Sequence, residues 1–170
     1  MFGPRVALAS LSGRSDAAWA EAAAEHAGAA FLGGIALDER SREAARELVA
    51  RDREEFLPDD PLAFVEAELD ALDGVPIQPA FNVRSATVEP VREAANICAE
   101  RGAVIEINAH CRQPELRDAG YGEALLADAD RLCEYVAAAS AAGATVSVKA
   151  RAEVDGVDLP ATARRIDAAG

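Results

Sequence analysis

Glu106-Ile107-Asn108-Ala109-His110-Cys111 is an apolar strand that runs out into polar, chemically able side chains, and Val146-Ser147-Val148-Lys149-Ala150-Arg151 repeats that pattern further along. The second stretch holds the chain's one lysine; the other sixteen of its seventeen basic residues are arginine. Lysine presents a compact ammonium that can bond a single atom or lose its proton when desolvated, which the planar guanidinium cannot do. Its single use at a strand end marks a site. The elements around it decide the scaffold.

Working outward, the chain alternates strands and helices. Strands are expected over 6–9, 29–33, 76–81, 103–107 and 145–149. Between them, Asp16 caps an Ala-rich helix to about residue 26, and Asp38 or Ser41 opens a charged helix to about residue 56. In that helix Glu43 and Glu47 stand at pairing distance from Arg46 and Arg51. Asp60-Pro61 starts a helix with Leu62, Val65, Leu69 and Leu72 on one face. Further helices are expected over 87–101, stopped by Gly102, over 121–142, stopped by Gly143, and over 159–169.

Strand, helix and strand in strict rotation mean parallel strands with right-handed crossovers. A dinucleotide-binding open sheet calls for Gly-x-Gly-x-x-Gly after its first strand, and Leu11-Ser12-Gly13-Arg14-Ser15-Asp16 lacks it. Ser10, Gln78, Asn108, Cys111 and Lys149 instead gather at the C-terminal ends of several strands, the distribution of a barrel active site. The fold expected is α/β, of the (β/α)8 TIM-barrel type. Eight units need about 200 residues or more. The 170 residues here hold five, so residues 1–170 are expected to be the N-terminal part of a single barrel domain.

Bulk properties narrow the function. The chain is long enough to bury a core, no stretch is apolar and long enough to span a bilayer, and the start shows no signal sequence, so a cytoplasmic protein is expected. Three cysteines at irregular spacing match neither a disulfide framework nor a zinc pattern, and no metal is expected. Cys98 and Cys133 fall in helical patterns and are expected to be small buried hydrophobes. A formal charge of −13 argues against nucleic-acid binding through a basic surface. Abundant carboxylates with almost no lysine also resemble the surface of a salt-adapted protein, where screening would weaken that objection.

The site residues offer a thiol, an amide and an ammonium. Cys111 can act as nucleophile or proton donor according to its surroundings. His110 and Cys111 are adjacent on extended chain and point to opposite sides, so a dyad between them is not expected. Lys149 alone would also suit a Schiff-base lyase, a reading that leaves Cys111 unexplained.

Read whole, Glu106-Ile107-Asn108-Ala109-His110-Cys111-Arg112-Gln113-Pro114, Gly120-Tyr121-Gly122-Glu123-Ala124-Leu125-Leu126 and Val146-Ser147-Val148-Lys149-Ala150-Arg151 resemble the tRNA-dihydrouridine synthases, FMN enzymes on a (β/α)8 barrel. That family carries Asp-x-Asn-x-Gly-Cys-Pro, a Gly-rich helix start with Leu-Leu, and Val-x-Val-Lys-x-Arg. Ala9-Ser10-Leu11-Ser12-Gly13-Arg14-Ser15-Asp16 takes the place of the family's first-strand motif. The resemblance implies an FMN-dependent oxidoreductase, with NADPH as reductant, that reduces a uracil ring in tRNA. It implies Cys111 as proton donor to C5, Lys149 at the N1 and O2 edge of the flavin, and Asn108 on the flavin or the uracil. Arg151 is implied near a phosphate of the substrate, Gln78 on the flavin pyrimidine, and Ala9 and Ser10 against the flavin plane. Two departures stand out: His110-Cys111-Arg112 replaces Gly-Cys-Pro, and Ser10-Leu11 replaces Pro-Met. Alternatives are a flavin barrel for a free pyrimidine, of the dihydroorotate dehydrogenase kind, and a barrel homologue without catalysis.

Overall fold

Five strands, β1 (Ala7–Leu8), β2 (Ala29–Ala36), β3 (Gln78–Arg84), β4 (Val104–Ala109) and β5 (Thr145–Ala150), pair in parallel in the order of the sequence. The coordinates are a computed structural model describing residues 3–170; Met1 and Phe2, at the start of the expected barrel segment, lie outside the described residues. A doubly wound sheet reverses its strand order at a switch point. Here the order never reverses, so right-handed crossovers place the helices on one side and the sheet curls. The result is half of a (β/α) barrel.

Strand alternation separates its two faces. Leu32, Phe81, Ile105 and Val146 form one cross-strand row, and Ile35, Val83, Ile107 and Val148 another. Both rows face the helices and belong to the main core, joined there by Val65 and Leu69, Val91 and Cys98, and Leu132, Tyr135 and Val136. Val146 and Val148 are partly buried, and each of the fully buried side chains contributes about 1.5–3 kcal/mol relative to exposure. The opposite, concave face carries Gly33, Asn82, Glu106 and Ser147 in one row, with Asn108 beside Lys149 in the next. Gly33, with φ 84°, sits at a register shift in β2, and a Cβ there would lie 2.7 Å from the Asn82 carbonyl oxygen.

Aspartates set the helix starts. Asp16, Asp38, Asp60, Asp128 and Asp158 each accept a backbone N–H in the first turn of α1 (Ala17–Ala22), α2 (Glu39–Val49), α3 (Pro61–Asp70), α7 (Ala129–Ala141) and α8 (Leu159–Asp167). Between α3 and α7 come α4 (Glu89–Glu100), α5 (Pro114–Asp118) and α6 (Glu123–Ala127).

Several expected boundaries are corrected. The helix over 121–142 is two, because Asp128 leaves helical geometry and caps α7 through Arg131 N. The short α5 was not expected; five residues are too few to show a period. Helix α2 stops at Val49 rather than near 56, as Asp52 turns off with φ 59° and Arg53 N bonds Leu48 O. Helix α1 likewise gives way to turns before His26. Arg46 pairs with Glu39 and Arg51 with Glu115, in place of Glu43 and Glu47. Cys98 is buried as expected, whereas Cys133 is only half-buried. Strand β3 begins two residues later than expected and runs to Arg84, a shift with consequences for Gln78. No helix among the described residues is long and apolar enough to cross a membrane.

Candidate functional site

The concave face ends, at the C-terminal rim, in a chain of polar side chains. Glu106 Oε1 accepts from Asn82 Nδ2 at 2.7 Å, and Asn82 Oδ1 accepts from Asn108 Nδ2 at 3.0 Å. Asn108 Oδ1 faces the His110 backbone N–H at 3.4 Å. Asn82, Glu106 and Asn108 are all buried, so each amide is held in one orientation by the next. Beside Asn108, Lys149 Nζ crosses the concave face to donate to Ser10 Oγ at 3.0 Å and Ser10 O at 3.3 Å. The lysine thereby ties the last strand to the loop after the first.

Burial pushes the Glu106 carboxyl above its ordinary range, opposed by the Asn82 hydrogen bond and the Lys149 charge. Arg84, at the end of β3, runs along Gly34 to Ser12 and to Glu55, whose Oε2 lies 2.7 Å from Nη1. The two charged side chains are 2% and 3% exposed, and Arg84 Nε, also buried, has no partner among the described residues.

Past β4 the chain divides its side chains. Cys111, 7% exposed, packs in a small apolar cluster with Ala44, Leu48, Leu116, Ala119 and Tyr121. Its carbonyl accepts from Glu123 N at 2.9 Å, and a Cβ on Gly122 would lie 2.6 Å from that oxygen, so only glycine fits there. His110 is half-buried beside it. Burial, then the charges of Lys149, Arg84 and Arg151, push its imidazole down to about 4. Its Nδ1 is buried without a partner among the described residues, so no hydrogen bond through that atom joins it to Cys111. His110, Cys111, Arg112, Gln113 and Arg151 together line a cleft of about 420 Å³.

The structure therefore brings Ser10, Asn108, Cys111, Lys149 and Arg151 to one rim, with Ala9 exposed on the same loop as Ser10. Gln78 is the exception. It is the first residue of β3 and lies at the N-terminal end of the barrel, where its amide donates to Gly102 O at 2.8 Å and Pro79 O at 3.2 Å. Starting the strand at 76 had placed Gln78 too far along it. Asn82, four residues on and on the same face, is the β3 amide at the site; the alternation Phe81-Asn82-Val83-Arg84 was the signal for it. Arg84 was missed as well, because its partner Glu55 comes from a loop that the sequence suggested was helix.

A family model described as dihydrouridine synthase (Dus) matches residues 74–170, more than half of the chain. An uncharacterized protein of Methanocaldococcus jannaschii is 27% identical over 135 residues, covering 78% of this chain. The aligned part is 52% of that protein, so the chain spans about half the length of the curated relative it matches.

Proposed function

The chain belongs to the dihydrouridine synthase family, and from that premise we propose that residues 1–170 are the N-terminal part of one FMN-binding barrel domain of a cytoplasmic oxidoreductase that reduces a uracil ring. The observation that carries this reading is the pairing of Asn108 with Lys149 in one cross-strand row, with Cys111 among the residues lining a cleft at the same rim.

The residues present fit the pyrimidine end of a flavin. That edge alternates hydrogen-bond donors and acceptors and gains negative charge on reduction. The rim supplies a half-buried ammonium, an oriented amide at Asn108, the Ser10 hydroxyl, and two buried nitrogens without partners among the described residues, His110 Nδ1 and Arg84 Nε. When bound, FMN would supply the hydride to C6 of the ring, with NADPH as the reductant that renews it.

The chain's own residues would do the rest. Lys149, anchored on Ser10, sets a positive charge where the flavin becomes anionic. Asn108, fixed by Asn82 and the His110 amide, orients the stack of the two rings. Cys111 holds a proton in an apolar pocket against Leu116 and Tyr121 and releases it to C5 as carbanion character develops there. Arg151 would engage the substrate, and Ala9 would let the flavin plane approach the backbone.

The family reading points to tRNA as substrate, while the charge of −13 favours a free pyrimidine. The visible spectrum of the purified protein tests the flavin part: a yellow protein bleached by NADPH is expected. A colourless protein that FMN does not reconstitute would refute it. Turnover on tRNA or on free pyrimidines then separates the two substrates. Cys111→Ala should keep bound flavin and lose about 10²–10⁴-fold in rate.

A further inference from the structure

We propose that Arg84 is a positioning residue for Cys111: its buried guanidinium compensates the negative charge left on sulfur when the thiol gives up its proton. The inference rests on the reading of Cys111 as proton donor and adds the group that stabilises what the donation leaves behind. When C6 receives the hydride that the reduced flavin supplies, the S–H bond of Cys111 breaks, its electron pair stays on sulfur and the proton goes to C5. Solvent then returns a proton to the thiolate.

The placement of Arg84 carries it first. Arg84 directly follows the Val83–Ile107 pair of β3 and β4, so the register brings it beside Asn108, three residues before Cys111. Its side chain passes so close to Gly34 that a Cβ there would collide with Nη2, which confines its path. After Glu55, Cys111 and Tyr121 are the groups whose charges act on Arg84. Glu55 cancels the net charge, but the pair is oriented. Burial raises the Tyr121 hydroxyl, and Arg84 opposes that more strongly than Glu55 reinforces it. The guanidinium is therefore the end of the pair turned to this cluster. The cluster offers the sulfur no other help. Ala44, Leu48, Leu116 and Ala119 are apolar, and Tyr121 Oη gives its only proton to Ser41 O at 3.5 Å. A thiolate in such surroundings is disfavoured unless a cation stands near. Arg84 Nε, buried without a partner among the described residues, is a donor still uncommitted. The other titratable groups around the thiol are Asp38 at the start of α2, whose charge reaches Tyr121, and His110, Arg112 and Arg151 in the cleft. On α5, Glu115 is paired with Arg51.

Alkylation of Cys111 by iodoacetamide across pH, quantified by mass spectrometry of the peptide that carries it, reports the thiolate without any need of flavin. Cys98 and Cys133 are read separately on their own peptides. Glu55→Gln leaves the Arg84 charge uncompensated and should move the midpoint of the pH profile down by about one unit. Arg84→Met combined with Glu55→Leu removes the oriented pair and should move the midpoint up by about one unit, a roughly tenfold fall in thiolate at neutral pH. Both variants break the same ion pair, so a purely structural role would shift both in one direction. Ser12→Ala removes the hydroxyl that Arg84 bonds, keeps both charges, and should leave the midpoint in place. Near-UV circular dichroism establishes that each variant is folded. Should Glu55→Gln not fold, the double variant decides against Ser12→Ala. Shifts in the same direction, or an unmoved midpoint in the double variant, overturn the proposal. Opposite shifts in a protein that binds no flavin would keep the hold of Arg84 on the thiol and sink the oxidoreductase reading. A flavin-loaded enzyme that depends on Cys111 yet shows no shifts would do the reverse.

Discussion

Removing Glu55 tests how the rim is held. Its carboxylate is the charge partner of Arg84, and both side chains are almost fully enclosed, at 3% and 2% exposure. Breaking a buried pair by deleting one partner leaves an uncompensated charge and typically costs about 3–5 kcal/mol. A domain's whole stability is about 5–15 kcal/mol. At roughly 2–4 °C per kcal/mol for a chain of this size, Glu55→Ala should lower the melting temperature by about 6–20 °C. Arg84 already carries one buried nitrogen with no partner among the described residues, which leaves it few alternatives. The double variant Glu55→Leu with Arg84→Met removes both charges and should recover most of the loss, because well-packed apolar pairs replace buried ion pairs at little cost. The neighbouring Glu54, exposed and paired with exposed Arg14, is the control and should show no comparable effect. Thermal and urea unfolding followed by circular dichroism measure all three. A Glu55→Ala protein within about 1 kcal/mol of wild type, far below the usual cost of breaking a buried pair, or a double variant no better than the single, would refute the reasoning.

Other outcomes follow from the same geometry. Gln78→Ala removes two hydrogen bonds at the far end of the barrel and should cost about 0.5–1.5 kcal/mol while leaving flavin affinity unchanged; a fall in affinity would return Gln78 to the site. Lys149→Arg keeps the charge but loses the single-atom contact with Ser10 Oγ, so flavin affinity and rate should both fall, and wild-type values would show the lysine to be incidental. His110 is neutral in the fold, with its folded pKa depressed from 6.5 to about 4 by burial and by Lys149, Arg84 and Arg151. The unfolded chain then binds more protons between those values, so stability from this group is complete above pH 6.5 and is lost as the pH falls toward 4. Denaturation midpoints across that window should slope for the wild type and flatten in His110→Gln; equal slopes would contradict the assignment.

The order of elements was legible because barrel strands bury one face against helices and helices announce their caps. Asp16, Asp38 and Asp60 were readable as helix starts from residue type and position alone, and each accepts the backbone bond expected of it. The rim residues on β4 and β5 were readable because both strands pass from apolar to polar at their ends. Gln78 and Asn82 show where this fails. Both are amides on the same face of one strand, and which lies at the rim depends on a register that only pairing with β2 and β4 fixes.

By itself the sequence determined a parallel α/β chain with an amide and a thiol at one strand end and an ammonium at the next, since alternation, capping and composition are local properties. Tertiary structure alone decided that Lys149 reaches Ser10 across 139 residues, that Arg84 and Glu55 bury their charges together, and that His110 lies in the field of Lys149, Arg84 and Arg151. Those contacts depend on strand register and on how far the sheet curls, and both are set by packing the convex face against its helices.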